Sequence, residues 1–294
     1  MLEKSLKQCP RLIILTFIYR LELDDEELLS MQQLCKHAHN QQIALVVKES
    51  FVGDLRLDKL LAGLDTEIPI QVVSLRDEQL GSIAAYNQLL MSSWFYRLFL
   101  DYEYLLVYQL DCILVRKGLE HWLGMGYSYV GAPWFGKLKG FSYFHQFVGV
   151  GNGGLSLRSI HDAIYVLENV SLYKQHIFSF SEITGRPRTG ILSKIPIWSF
   201  LSRHLMAALS MIGYHNTIGY FVNYKKAGMN EDIFWSVVVP RVAPWFQTPS
   251  PRVASRFALE TNHKEAREFY RFSKPLGYHA WKKYGLTQRD LEND

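Results

Sequence analysis

Four short apolar runs constrain the fold more than any other feature of the chain: Leu12 to Phe17 (LIILTF), Ile43 to Val47 (IALVV), Ile70 to Val73 (IQVV) and Tyr104 to Leu110 (YLLVYQL). Continuous runs of this length are the pattern of strands covered on both faces in a parallel sheet. Between the first two, Asp24 can cap a helix whose first turn holds Asp25, Glu26 and Glu27, acids that suit a helix N-terminus. Its apolar positions Leu28, Met31, Leu34, Cys35 and Ala38 follow a 3.6-residue period, so the chain opens as a β-α-β unit. Ser82 to about Leu100 reads as one longer helix before the YLLVYQL strand. The first 115 residues are therefore expected to form half of a doubly wound α/β sheet.

The rhythm then changes. Gly124, Gly126, Gly131, Pro133, Gly136 and Gly140 interrupt the pattern, and Gly149 to Gly154 form a second glycine-rich turn before the strand LSLR. Ser159 to Val170 reads as a helix and Ser179 to Ile195 as a polar loop. Ile197 to Met211 reads as a helix whose apolar face is interrupted by Arg203 and His204. This half is expected to be loop-rich.

With 294 residues and 48% hydrophobic content, the chain can bury a sizeable core. Its 32 Lys and Arg against 28 Asp and Glu give a net charge of +4, too mild to imply a nucleic-acid partner. The basic charge gathers late: between Arg241 and Lys283 there are nine Lys and Arg against three Glu. Cys9, Cys35 and Cys112 match neither a metal-ligand spacing nor a disulfide framework, which fits a reducing compartment. The first ten residues lack the apolar core of a secretory signal, and no run of about 18 apolar residues could span a bilayer. A cytoplasmic protein is expected.

Ligands of open α/β sheets bind beyond the carboxyl ends of the strands. Asp111 ends the most apolar strand, where a carboxylate could hold a divalent cation on two phosphates or could simply close a turn. Asn230 can cap a helix with Glu231 and Asp232 in its first turn, where the dipole favours their ionised forms. Gly151, Gly153 and Gly154, with Asn152, could let backbone N–H groups approach a ligand closely or could form a plain hairpin turn. Trp134, in a glycine-rich loop, could stack on a sugar face or anchor the loop. His279 could be a metal ligand or a satisfied structural residue.

Taken together, YQLD, YVGAPWF (Tyr129 to Phe135), GVGNGGLSLR (Gly149 to Arg158), MNEDIFWS (Met229 to Ser236) and KPLGYHAW (Lys274 to Trp281) resemble domain-of-unknown-function family 5672, described as glycosyltransferase-like. The likeness runs from about Leu12 to Tyr284, and the order of motifs is also similar to inverting glycosyltransferases of the GT-A fold. It implies a single α/β domain over 1–294 with a Rossmann-like mixed sheet flanked by helices. Residues 1–115 would be the nucleotide-binding half and 116–294 a loop-rich acceptor-binding and catalytic half. By the same likeness, Gln109, Leu110 and Asp111 take the place of an Asp-x-Asp, and Asp111 with His279 would hold Mn²⁺ or Mg²⁺ on the diphosphate of a nucleotide-sugar donor. The sequence departs from the pattern at Gln109, which removes one charge.

Thr16, Tyr19 and Arg20 follow the first strand, where such folds hold base and diphosphate, and Tyr86 and Asn87 sit where similar enzymes place an aromatic and an Asn that contact the nucleotide. Asn152, Gly153 and Gly154 would lie under the donor sugar, and Trp134 on the acceptor. Asp232 would be the general base and Glu231 would orient a hydroxyl. Lys282, with Lys274 and Lys283, would stabilise the leaving diphosphate. The expected activity is transfer of a sugar from a nucleotide-diphosphate sugar to a glycan or lipid-linked glycan, in surface-polysaccharide assembly. The alternative is a sugar- or nucleotide-binding scaffold that keeps the shape without turnover. The stripe of Ile197 to Met211, with Trp198 and Leu201, either packs on the core or lies on the inner face of a membrane.

Overall fold

The computed structural model describes residues 11–135, 147–170 and 230–287, apart from residues 39, 65 and 67–69. In chain order the elements are β1 (Leu12–Ile18), α1 (Asp25–Ala38), β2 (Gln42–Lys48), α2 (Leu55–Ala62), β3 (Gln71–Leu75), α3 (Ile83–Leu89), α4 (Ser93–Arg97), β4 (Tyr104–Tyr108), β5 (Ile113–Leu114) and α5 (Leu119–Leu123). There follow β6 (Tyr129–Val130), β7 (Pro133–Phe135), β8 (Phe147–Val150), β9 (Leu155–Ser159) and α6 (Ile160–Asn169). The last described stretch holds α7 (Glu231–Ile233), a π-helical segment (Phe234–Val238), α8 (Val239–Val242), α9 (Pro251–Phe257), β10 (Ala258–Leu259), α10 (His263–Tyr270) and β11 (Gly277–Tyr278).

A six-stranded mixed sheet, in the order β3-β2-β1-β4-β9-β6, forms the centre. The first four strands are parallel, and β9 runs antiparallel to both β4 and β6. Alternation along β1 divides the core in two. Ile13, Leu15 and Phe17 face a layer that includes α3, α4, α6 and the π-helical segment, whereas Leu12, Ile14 and Ile18 face α1, α2 and α5. Both layers are apolar, so β1, β2 and β4 carry the continuous runs expected of strands with no solvent-facing side.

Two expectations are corrected. The IQVV run belongs to an edge strand: Gln71 and Ser74 are exposed and Val72 is 37% exposed, because among the described residues no strand pairs beyond β3. The stretch from Ser82 forms two helices instead of one. The chain turns at Leu90–Ser92, where the Ser92 hydroxyl donates to Leu89 O at 2.6 Å. The turn turns Leu90 O toward two side chains, Tyr96 Oη at 2.9 Å and Trp235 Nε1 at 3.0 Å. The predicted cap at Asp24 forms, and Ser159 caps α6; each accepts from a backbone N–H of the first turn. The polar stretch 179–195 and the helix expected over 197–211 lie outside the described residues.

A smaller sheet, β10-β11-β5, is built from strands of two residues each. β10 and β11 are parallel and β5 is antiparallel to β11. The residues that follow β10 and β11 therefore emerge at the same end as those that precede β5, which brings Glu260, His279 and Asp111 together. The turn of α7 into α8 passes through the π-helical segment just before Pro240. Pro240 has no N–H to give and its ring crowds the carbonyl four residues earlier, so a widened turn relieves that conflict.

Candidate active site

A cleft of about 690 Å³ opens at the carboxyl ends of β1, β2 and β4, where a parallel α/β sheet presents loop residues to ligands. β1 delivers Tyr19 and Arg20, β4 delivers Gln109 to Asp111, and β9, running the other way, begins at the same edge directly after Gly153 and Gly154. The backbone N–H of Gln109 donates to Gly154 O at 2.8 Å, which clamps the two loops together.

On one wall, His279 stands between two carboxylates. Its Nε2 lies 3.4 Å from Asp111 Oδ2 and its Nδ1 lies 3.3 Å from Glu260 Oε1. Burial alone would lower the imidazole, but Asp111 and Glu260 raise it to about 9. Burial would in turn raise both carboxyls, and His279 holds each below its ordinary range. Asp111, Cys112 and His279 offer ligand atoms within 4.8 Å of one another. Cys112 is unsuited to a hard cation: its buried thiol is pushed up in pKa and donates to Gly154 O at 3.1 Å. A carboxylate oxygen and an imidazole nitrogen remain, and their 3.4 Å separation is close to the roughly 3 Å between neighbouring ligand atoms of an octahedral cation. Once His279 gives up its proton, this oxygen and nitrogen pair could hold a divalent cation such as Mn²⁺.

Beside Gly153, next to the Gly154 that His279 meets, are Glu231 and Asp232. Glu231 is buried, and its Oε2 lies 2.8 Å from Nη2 of Arg158, itself only 1% exposed. Arg158 donates further to Ser156 Oγ and, at 3.1 Å, to Tyr96 Oη, and it sits over the Tyr129 ring. Burial pushes the Glu231 carboxyl up to about 7, with Arg158 opposing the rise. Asp232 is also raised, chiefly by burial, against the Ile233 N–H that donates to its Oδ1 at 2.7 Å. The helix-dipole expectation of readily ionised carboxylates is thus corrected, because desolvation dominates here. The cap is corrected as well. Asn230 makes no side-chain cap, and Asn87 Oδ1 accepts from Glu231 N–H at 3.0 Å instead.

The glycine-rich turn meets both groups of side chains. Asn152 supplies its left-handed residue (φ 75°) and accepts from Gly154 N–H through Oδ1 at 3.1 Å. The glycines admit side chains: a Cβ on Gly153 would lie 1.9 Å from Glu231 Oε1, and one on Gly154 would lie 2.5 Å from His279 Nε2. Gly153→Ala is expected to lower stability by about 1–3 kcal/mol by overpacking. Gly124→Ala, whose nearest neighbour would be His121 O at 3.7 Å, is the control in urea unfolding.

Residues 69–279 match a family model described as a protein of unknown function, DUF5672. The chain belongs to this family. No curated protein matches the sequence. Solved structures with a similar fold include mouse xyloside xylosyltransferase 1, at 8% identity over 94% of this chain and 99% of that one, with a TM-score of 0.46. The glycosyltransferase GlyE of Streptococcus pneumoniae aligns at 11% identity over 97% of this chain and 56% of that one, with a TM-score of 0.41. The mannosyltransferase Ktr4p of S. cerevisiae, in complex with GDP, aligns at 11% identity over 43% of this chain, with a TM-score of 0.34, and only 41% of that chain is covered.

Of the residues singled out in the sequence of this DUF5672 protein, Tyr19, Arg20, Tyr86, Asn87, Asp111, Gly153, Gly154, Glu231, Asp232 and His279 all line the one cleft. Thr16 is fully buried inside the sheet. Lys282 is paired with Glu26 on α1. Trp134 packs on Gly151 and donates through Nε1 to Glu260 at 3.3 Å. Asn152, 1% exposed, shapes the turn. Arg20 reaches the cleft already engaged, with Nη2 at 2.7 Å from both Asp24 and Glu27. Sequence reasoning missed Glu260 and the role of Arg158. Among the described residues, no helix is long and apolar enough to cross a membrane.

Proposed function

We propose that the DUF5672 chain is a glycosyltransferase that moves a sugar from a nucleotide-diphosphate donor to a glycan or lipid-linked glycan with inversion at the anomeric carbon. The observation that carries this reading is the convergence of Asp111, His279, Glu231 and Asp232 in the strand-end cleft. In this reading 1–294 is a single GT-A-like domain, with 1–115 holding the nucleotide and 116–294 the acceptor. Asp232 takes the proton from the acceptor hydroxyl as that oxygen attacks from the face opposite the departing diphosphate. Direct displacement needs no covalent enzyme intermediate. Surface-polysaccharide assembly at the cytoplasmic face of a membrane is the proposed setting.

Electrostatics supports a cation. Glu27, Asp111, Glu231 and Asp232 line the cleft together with Arg20, Lys48 and His279, but Arg20 is engaged by Asp24 and Glu27, and His279 by Asp111 and Glu260. A diphosphate would meet mainly carboxylates there. Asp111 and His279 would hold the ion, which would neutralise the diphosphate and stabilise it as a leaving group. The test is a thermal-shift panel of uridine, guanosine, cytidine and thymidine diphosphates and their sugar conjugates, with and without Mn²⁺ or Mg²⁺. One nucleotide is expected to stabilise the protein only with metal, by about 2.7 kcal/mol at a hundredfold excess over its Kd. Asp111→Ala is expected to abolish that shift. No shift with any nucleotide would overturn the reading.

A further inference from the structure

We propose that Glu260 is a positioning residue of the cation site, holding the His279 ring so that Nε2 is presented to the cleft beside Asp111. The proposal rests on the metal reading above, but concerns a residue that never touches the ion. Glu260 comes directly after β10 and His279 directly after β11, and the parallel register Leu259↔Tyr278 sets them side by side. The backbone N–H of His279 donates to Leu259 O at 3.0 Å, extending this pairing to the site itself.

The two carboxylate oxygens of Glu260 face different partners. Oε1 lies 3.3 Å from His279 Nδ1, and Oε2 accepts from Trp134 Nε1 at 3.3 Å. Both acid and imidazole are largely buried, with side chains 18% and 15% exposed. The ring's other edge is fixed too, because Gly154 leaves room for Nε2 where a Cβ would lie 2.5 Å away. In the neutral ring that a cation requires, a carboxylate on Nδ1 favours the Nδ1–H tautomer, which leaves the Nε2 lone pair on the side of Asp111 and the cleft. Carboxylate–histidine–metal chains orient ligands in this way. The arrangement also gives Trp134 a purpose its burial alone does not, since the indole N–H holds the second oxygen of Glu260.

The experiment titrates the 294-residue chain with Mn²⁺ alone, reading free Mn²⁺ by electron paramagnetic resonance. The proteins are the parent, Asp111→Asn, His279→Ala, Glu260→Gln and the double variant Glu260→Gln/His279→Ala. Glu260→Gln is expected to weaken Mn²⁺ by 10- to 100-fold in the parent background, and to change nothing further once His279 is gone. Parent-like affinity in Glu260→Gln would overturn the proposal and leave the metal reading standing. An equal loss with and without His279 would overturn it too, by making Glu260 act independently of the ring. A parent that binds no Mn²⁺ would remove the metal reading and this role with it. Should Glu260→Gln fail to fold, ¹⁵N spectra of the parent at pH 10, where the His279 ring is neutral, decide the matter. An Nδ1–H tautomer at His279 is expected, and an Nε2–H tautomer overturns the proposal.

Discussion

Asp232→Asn is expected to lower sugar transfer by about 10²- to 10⁴-fold, the range of a positioned general base, while nucleotide binding stays at the parent level. Asp232 lines the cleft, and one of its oxygens already accepts from Ile233 N–H at 2.7 Å. Asn can keep that bond through its amide oxygen, so the change removes proton affinity and little else. Burial raises the Asp232 carboxyl above its ordinary range, which strengthens it as a base near neutrality and makes the rate climb with pH as the group ionises. Calorimetry of nucleotide binding and the transfer rate, measured on the same preparations, separate the two roles. Parent-like turnover in Asp232→Asn would remove it as the base. A product that retains the donor's anomeric configuration, read by proton NMR coupling, would exclude the single displacement that assigns it this work.

Much of the scaffold was readable because its signals are local. The LIILTF and YLLVYQL runs announce strands without reference to anything else, and the strand-end rule then places Tyr19, Arg20 and Asp111 around one cleft. Glu260 gave no such signal. It is a single acid after a strand of two residues, and its partner lies 19 residues on, joined to it by the parallel β10–β11 pair. Periodicity has nothing to measure over that length. Arg158 gives no functional signal either, since an Arg near the end of a strand is ordinarily a solvent-facing residue. Its burial depends on Glu231, which arrives from a distant segment through the gap left by Gly153. The glycines were legible as close-approach positions, but the approaching group is the protein's own acid. Sequence shows that room is made and leaves open for what.

Arg158→Met is expected to destabilise the protein, and by an amount that grows with pH. Methionine fills part of the guanidinium's space but leaves Tyr96 Oη and Ser156 Oγ without the donor that now reaches them. Losing hydrogen bonds to a buried charge costs about 1.5–3 kcal/mol, and this part should appear at every pH. The remainder depends on Glu231. Its folded-state pKa of about 7 stands above the ordinary 4.5, so the stability it contributes is full below pH 4.5 and is lost as pH rises through 7. In the parent the loss then stops, because the ionised carboxylate has Arg158 at 2.8 Å. Without Arg158 nothing opposes desolvation, the folded-state pKa climbs further, and the loss continues. Above pH 7 the gap between parent and variant should therefore widen by about 1.4 kcal/mol per pH unit, up to the 3–5 kcal/mol typical of a broken buried ion pair. Urea unfolding at pH 6, 7, 8 and 9 measures this, with Glu231→Gln/Arg158→Met as the control that should cancel the pH dependence. A gap that stays constant from pH 6 to 9 would mean that Arg158 supports the strand by packing alone, and that Glu231 is held in the cleft wall by Asn87 and Gly153 without it.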